Sequence, residues 1–226
     1  MINHESIQRF NIFSQHTTVS RSSTPISPEE EYTVPLRLSV IGQSGPISES
    51  LYNTAYAVGR AIARSGAYLY TGGRDGVMAA ASQGALDAGG LTVGILPGDD
   101  PGQANAYVSV PITTGLSMAG RSEVLIHSAD AFIIVGGGAG TLTEICVAYL
   151  YRKPLVAVRG NGGWGDRLEP ALLEGKFLDH RRLVPIYFED DPERAVALAI
   201  ELAQAAPEHP RQTHADGLGD VPPAAR

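Results

Sequence analysis

A run of glycines, a carboxylate and an arginine stand out in this chain as groups able to act together on one ligand. The run is Gly136-Gly137-Gly138-Ala139-Gly140-Thr141, with Glu144 three residues beyond it. Before it, Ala131-Phe132-Ile133-Ile134-Val135 is a continuous apolar stretch of the kind carried by a strand buried on both faces. After it, Leu142, Ile145, Tyr149 and Leu150 recur at helical spacing. A strand, a glycine turn and a helix start in that order make an anion site. The first N–H groups of a helix have no intrahelical partner, and the helix dipole adds partial positive charge there. Glycines let an anionic ligand reach the backbone because no side chain stands in the way. The ligand this predicts is a small molecule bearing phosphate.

The framework around these residues alternates strand and helix along the chain. Leu36 to Ile41 reads as a first strand, ending at Gly42-Gln43-Ser44-Gly45-Pro46. Leu51, Ala55, Val58 and Ile62 follow at steps of four, three and four, a one-faced helix. Ala67 to Tyr70 is a short strand ending in Thr71-Gly72-Gly73, and Gly76 to Ala88 a small-residue helix stopped by Gly89-Gly90. The Gly and Ala residues of 72–90 are most simply read as tight helix–sheet packing. Thr92 to Leu96 and Tyr107 to Ile112 read as strands, and Met118 to His127 as a helix. Beyond the central strand come Leu155 to Val158, a loop carrying Trp164, a strand from Val184 to Phe188 and a helix from Pro192 to Ala205. Such alternation implies an α/β fold: a doubly wound parallel sheet covered on both faces. Ligands of such sheets bind beyond the carboxyl ends of the strands, where the glycine turns fall here.

Composition bounds the remaining choices. The chain has 226 residues, enough for one medium domain whose core stands without staples. Residues 1–33 and 207–226 are poor in core-forming residues and are expected to be largely disordered tails around a body of residues 34–206. Ile7, Phe10, Ile12 and Phe13 are the exception, an apolar group suited to docking on the domain or on a neighbouring subunit. A formal net charge of −7 argues against nucleic acid as a partner. Cys146 is the sole cysteine, so an internal disulfide is excluded and a reducing, cytoplasmic setting fits. No apolar run approaches the roughly 18 residues of a membrane span, and Met1 to Ser20 does not read as a secretion signal. The six histidines show no pair at ligand spacing, so no metal site is expected.

Glycine turns alone are weak evidence. The first, with Gly42 and Gly45, lacks the three spaced glycines of a dinucleotide fingerprint, and the central one lacks the Lys-Ser/Thr ending of a triphosphate loop. Joined to Glu144 and to Met118-Ala119-Gly120-Arg121, the central turn is more specific. With these residues the chain resembles the Lonely Guy family, long mislabelled as lysine decarboxylases, whose signature is Pro-Gly-Gly-x-Gly-Thr-x-x-Glu. Gly137, Gly138, Gly140, Thr141 and Glu144 match, and Gly136 stands where the family has proline. Arg121 looks like the arginine of the family's Met-x-x-Arg-Lys segment, with Ser122 in place of the lysine. Thr71-Gly72-Gly73 with Gly76-Val77-Met78 is similar to its Gly-Gly…Gly-Leu-Met turn, and the resemblance spans roughly Leu36 to Val158. It implies a Rossmann-like domain and a phosphoribohydrolase, which cuts the N-glycosidic bond of a nucleoside 5′-monophosphate to give free base and ribose 5-phosphate. The departures at Gly136 and Ser122 look more like a side branch that includes molybdenum-cofactor carrier proteins, which bind a phosphate-bearing pterin.

On the hydrolase reading, Glu144 would stabilise positive charge on the sugar ring and polarise water, and Arg121 would face the phosphate or orient Glu144. Gly137, Gly138, Ala139, Gly140 and Thr141 would hold the phosphate, with Gly42, Ser44, Gly72, Gly73 and Met118 completing the nucleotide site. No metal or redox cofactor is called for. The resemblance further implies a homodimer or higher homo-oligomer packed through helices near the site. Plainer readings stand beside these. Thr141-x-x-Glu144 is also a capping box, and Arg121 could pair with Glu123 on an exposed helix face. Ser44 could cap a helix, and Asp75 could be a simple helix-start acid, although Arg74 and Asp75 could equally reach the ligand. Cys146, between Ile145 and Val147, is expected to be a buried structural thiol, and Tyr149, Tyr151 and Trp164 to be core or subunit contacts.

Overall fold

Because side chains alternate across a strand, each apolar run divides its residues between two cores. In the computed structural model, which describes residues 34–205, this division organises the molecule. Seven strands form one sheet: β1 (Arg37–Gly42), β2 (Tyr68–Thr71), β3 (Thr92–Leu96), β4 (Val110–Thr113), β5 (Ala131–Val135), β6 (Leu155–Val158) and β7 (Ile186–Glu189). Their order is β4-β3-β2-β1-β5-β6-β7, with every neighbouring pair parallel. Leu38, Val40, Ile133, Val135, Val156 and Val158 point to one face. There they pack against α1 (Glu49–Arg64), α2 (Val77–Asp87) and α6 (Pro192–Ala205). Ile41, Phe132, Ile134, Leu155 and Ala157 point to the other, under α3 (Met118–Ser128), α4 (Ala139–Leu150) and α5 (Gly163–Ala171). The tails at 1–33 and 207–226, and the apolar group near Phe10, lie outside the described residues.

Local chemistry explains the helices. The Ser48 hydroxyl caps α1 by accepting from the Leu51 N–H at 3.2 Å, and Leu51, Ala55, Val58 and Ile62 line its buried stripe. The small residues of α2 serve helix–helix packing as well as the sheet. A Cβ on Gly84 would overlap the Tyr56 carbonyl of α1, and one on Gly59 would overlap the Ala81 carbonyl of α2. The two backbones therefore touch, a closer approach than the helix–sheet packing read from composition.

Three other expectations are corrected. The stretch with Trp164 is helix α5 rather than a loop. Its amides at Trp164 and Gly165 donate to the Gly137 and Gly136 carbonyls at 3.0 and 2.8 Å. The Asp166 carboxylate accepts from the Gly160 and Gly162 N–H groups, and Leu168 is buried. The fourth strand begins at Val110 rather than Tyr107, because Asn105 folds the preceding residues into a turn. Its side-chain oxygen accepts from the Tyr107 N–H, and its carbonyl accepts from the Val108 N–H. Nor is the sheet covered to its end. The β3–β4 crossover carries only a 3-10 turn at Pro101–Gln103 in place of a helix, and β4 is exposed along its length.

The strand order reverses between β1 and β5, and Gly42 pairs in register with Val135 at the carboxyl ends of those two strands. Connections leaving a sheet in opposite directions open a crevice at that point. The site lies there.

Candidate functional site

The turn after β5 is held open by its backbone. Gly136 and Gly137 take φ of +63° and +110°, which L side chains rarely adopt, and a Cβ on Gly137 would stand 2.6 Å from Thr141 Cγ2. The α5 amides that bind the Gly136 and Gly137 carbonyls brace the turn from behind. Helix α4 then starts at Ala139 with Gly138 as its N-cap and no side-chain cap bond. Leu142 N–H makes the return bond to the Gly138 carbonyl at 3.1 Å, so the amides of the first turn have no intrahelical acceptor. Gly138, Ala139 and Gly140 are exposed, and a Cβ on Gly138 or Gly140 would meet nothing within 4 Å.

Thr141 is the third residue inside the helix and Gly138 the cap, so Thr141 and Glu144 do not form the capping box that their spacing allowed. Glu144 turns instead toward α3. Its Oε1 accepts from the Ser122 hydroxyl at 2.9 Å and lies 3.7 Å from Arg121 Nη1. Arg121 is 3% exposed and Glu144 8%, so the exposed pairing of Arg121 with Glu123 does not occur. Arg121 Nε and Nη1 are buried without a hydrogen-bond partner among the described residues. Leaving two buried donors of a cation unpaired is costly, and such a group is suited to meeting an acceptor on a ligand.

Burial pushes the Glu144 carboxyl above its ordinary range, against the pull of the Arg121 charge and the Ser122 hydroxyl. Burial also lowers the Arg121 guanidinium, opposed by Glu144 and assisted by the nearby Arg74 charge. An arginine remains charged through such a shift. The pair therefore presents a carboxylate made more basic beside a cation with donors to spare.

These groups line a cavity of about 640 Å³ at the strand ends. It brings together Gly42, Ser44, Gly72, Met118, Arg121, Gly138, Ala139, Gly140, Thr141 and Glu144 of the residues singled out from sequence, with Arg74 and Asp75. Gly73 and Gly137 stand outside its lining. Gly73 donates to Thr71 Oγ1, and its carbonyl accepts from the Asn105 backbone and side chain, while the Gly137 carbonyl faces α5. Gly72 makes room for the cation, since a Cβ there would overlap Arg121 Nη1 and come within 2.7 Å of Met78 Sδ.

Sequence reasoning did not assign a role to Ser122, seen only as a departure from a pattern, or to Asn105, whose side chain donates to the Gly73 and Arg74 carbonyls and pins that turn. An Asn just before a strand is a turn signal, and that was the available clue. Cys146 is exposed on the outer side of α4, not buried, because the helix stripe facing the core runs through Thr141, Ile145, Ala148 and Tyr149. Tyr149 is a core residue whose hydroxyl donates to Asp179, and Tyr151 packs edge-on against His127. Among the described residues no group of three His, Cys, Asp or Glu side chains could hold a metal ion, and no helix is long and apolar enough to cross a membrane.

Comparison with known proteins bears on the family and the fold. The model of the SLOG cluster4 family, LDcluster4, matches residues 35–196. A solved structural-genomics target is 41% identical with a TM-score of 0.70, over 74% of this chain and 99% of that one. The molybdenum cofactor binding protein of Rippkaea orientalis is 31% identical with a TM-score of 0.65, over 75% of this chain and 98% of that one. A cytokinin riboside 5′-monophosphate phosphoribohydrolase of Rhodococcoides fascians is 33% identical over 54% of this chain and 67% of its own length. The chain belongs to the SLOG cluster4 family, has relatives of the Lonely Guy type, and shares its α/β fold with the solved relatives.

Proposed function

We propose that this SLOG cluster4 protein hydrolyses the N-glycosidic bond of a nucleoside 5′-monophosphate, with Glu144 and Arg121 as its catalytic residues. The observation that carries the reading is a buried carboxylate beside an arginine with two unpaired donors, in one cavity with an uncapped helix N-terminus. The amides of Gly138 to Thr141 hold the 5′-phosphate, and Ser44 and Gly42 border the same cleft. The C1′–N bond breaks with its electron pair leaving on the base. Glu144 stabilises the positive charge that builds on the ribose ring and takes a proton from the water adding at C1′. That proton passes to the departing nitrogen, so free base and ribose 5-phosphate result. Arg121 supplies fixed positive charge to the anionic substrate, and the preorganised site supplies most of the rate. No step requires a metal or a redox group.

The hydrolase named among the relatives supports this reading. Incubation with a panel of nucleoside 5′-monophosphates is expected to release free base, and Glu144→Ala to abolish the release. No release from any purine or pyrimidine monophosphate by the wild-type protein refutes it.

A second reading, a carrier that holds a phosphate-bearing pterin or nucleotide without turnover, is favoured by one specific observation. Gly136 adopts a φ of +63°, which proline cannot, so the turn departs in conformation from the hydrolase signature as well as in sequence. The molybdenum cofactor binding protein among the solved relatives agrees with it. Tight binding without base release, or a pterin absorbance in the purified protein, selects this reading. Turnover with a featureless spectrum rejects it. Both readings take one small anionic ligand in the same cavity, and a homo-oligomer formed through the helices near the site is proposed with them.

A further inference from the structure

We infer that Ser122 is a positioning residue that holds Glu144 away from Arg121, so that the guanidinium stays open for the ligand. The inference rests on the reading that the cavity takes a phosphate-bearing ligand.

Arg121 and Glu144 are both almost wholly buried and oppositely charged, an arrangement that ordinarily closes into a direct, often two-pronged, hydrogen-bonded pair. Here Nη1 and Oε1 stay 3.7 Å apart, beyond hydrogen-bonding reach, and Nε and Nη1 have no partner among the described residues. The oxygen that would close the pair is engaged by Ser122, whose Oγ lies 2.9 Å from Oε1. The hydroxyl has one proton and two acceptors in reach, Glu144 Oε1 and the Met118 carbonyl at 3.2 Å. The charged and nearer carboxylate takes it.

Ser122 is fixed one residue after Arg121 on α3, so the helix that carries the cation also carries the group that restrains its counter-ion. The short hydroxyl bonds Oε1 of a carboxylate that lines the cavity. The site is thereby kept in an open state: a cation with two donors to offer, and a carboxylate on the same cavity wall. Removing the hydroxyl frees the carboxylate to turn onto Arg121, which consumes the donors that the ligand would use.

Calorimetric binding of adenosine 5′-monophosphate to the wild-type protein, Ser122→Ala, Ser122→Thr, Glu144→Ala and the Ser122→Ala/Glu144→Ala double variant tests this. Ser122→Ala is expected to weaken binding by about tenfold or more, and Ser122→Thr, which keeps the hydroxyl, to restore it. In the Glu144→Ala background the Ser122→Ala change is expected to have no effect, because no carboxylate remains to collapse. An equal loss in both backgrounds, or no loss in either, overturns the inference. A second measurement needs no ligand: NMR titration of the Glu144 carboxyl in the unliganded protein. Collapse onto Arg121 favours the ionised form, so Ser122→Ala is expected to lower that pKa. A rise shows that Ser122 merely solvates the carboxylate, and overturns the inference. Failure of the wild-type protein to bind the nucleotide defeats the ligand reading while leaving this titration to decide the role of Ser122.

Discussion

Gly72→Ala is expected to disable the site while leaving the fold intact. Gly72 does not have a positive φ, so its backbone accepts alanine. The added methyl would come within 2.9 Å of Arg121 Cζ and 2.7 Å of Met78 Sδ, and would overlap Nη1 outright. Restoring ordinary contact of about 3.4 Å or more requires Cζ and Sδ to withdraw by roughly 0.5 to 0.7 Å, and Nη1 by more than about 1 Å. Both are far ends of flexible side chains, so the overlap is relieved by rotation and not by moving the sheet. The loss of chain entropy in the unfolded state partly offsets the disturbance, about 0.4–1 kcal/mol for a Gly→Ala change. Net destabilisation should stay below about 1 kcal/mol, a fall in Tm of no more than about 2–4 °C for a domain of this size. Function should suffer far more, because a displacement of about 1 Å in a positioned group costs about a hundredfold.

The assay is kcat/KM for base release, with adenosine 5′-monophosphate affinity by calorimetry alongside and thermal unfolding as the control. Arg121→Ala should lose at least as much, and the double variant should be no worse than Arg121→Ala alone, since both changes remove the same group. Wild-type kcat/KM and affinity in Gly72→Ala would show that the glycine leaves no needed space for the arginine. A loss that merely follows global unfolding would be equally damaging, because the glycine would then serve the fold and not the cation.

Other perturbations of the same contacts have defined outcomes. Glu144→Gln should lower base release by about a hundredfold or more while raising the unfolding midpoint at neutral pH, because burial disfavours the charge it removes. The folded pKa is raised, so the wild-type protein loses stability as pH rises through the window above an ordinary glutamate. The advantage of Glu144→Gln should therefore vanish in acid, where both forms are neutral, as urea midpoints across pH will show. Base release by the wild-type protein should fall on the acid side as Glu144 protonates, at a pH above that of an ordinary carboxylate. Gly136→Pro should cost about 2–4 kcal/mol in denaturant unfolding. Its φ must change sign, and the Gly165 N–H bond to the Gly136 carbonyl at 2.8 Å is lost with the turn; wild-type stability would contradict the conformation described. Asp130 is opposed by burial yet held below the usual carboxylate range by the Arg37 guanidinium and backbone N–H. Its contribution is present above the unfolded pKa and lost as pH falls through the folded one. Asp130→Asn should flatten the acid limb of stability as pH falls through and below the ordinary aspartate range, read from urea midpoints.

Much of the architecture was legible in the chain because it is coded locally. The run Ala131 to Val135 read as a doubly buried strand, and the 4-3-4 spacing of Leu51, Ala55, Val58 and Ile62 as a one-faced helix, and both are found. The glycine turn, Arg121 and Glu144 were legible as candidates, since that combination of residue types is unusual, and the fold brings them to one cavity. Helix α5 was not. Gly162, Gly163, Gly165 and Pro170 are poor helix formers, and the element is held by Asp166, by Leu168 and by the carbonyls of Gly136 and Gly137, which are distant in sequence. The exposure of Cys146 was ambiguous for a related reason: apolar neighbours in sequence do not state which stripe of a helix faces the core.

From its residues alone the chain is already an α/β protein with a glycine turn suited to an anion and two charged candidates. Packing in three dimensions settled that Arg121 and Glu144 share one cavity wall, that the Ser122 hydroxyl bonds one oxygen of that carboxylate, and that a Cβ on Gly72, 49 positions before Arg121, would overlap the guanidinium. The difference is one of range. Propensity and periodicity act over a few residues, whereas a cavity exists where the ends of strands from separate parts of the chain converge, and its chemistry depends on ångström distances that no local pattern encodes.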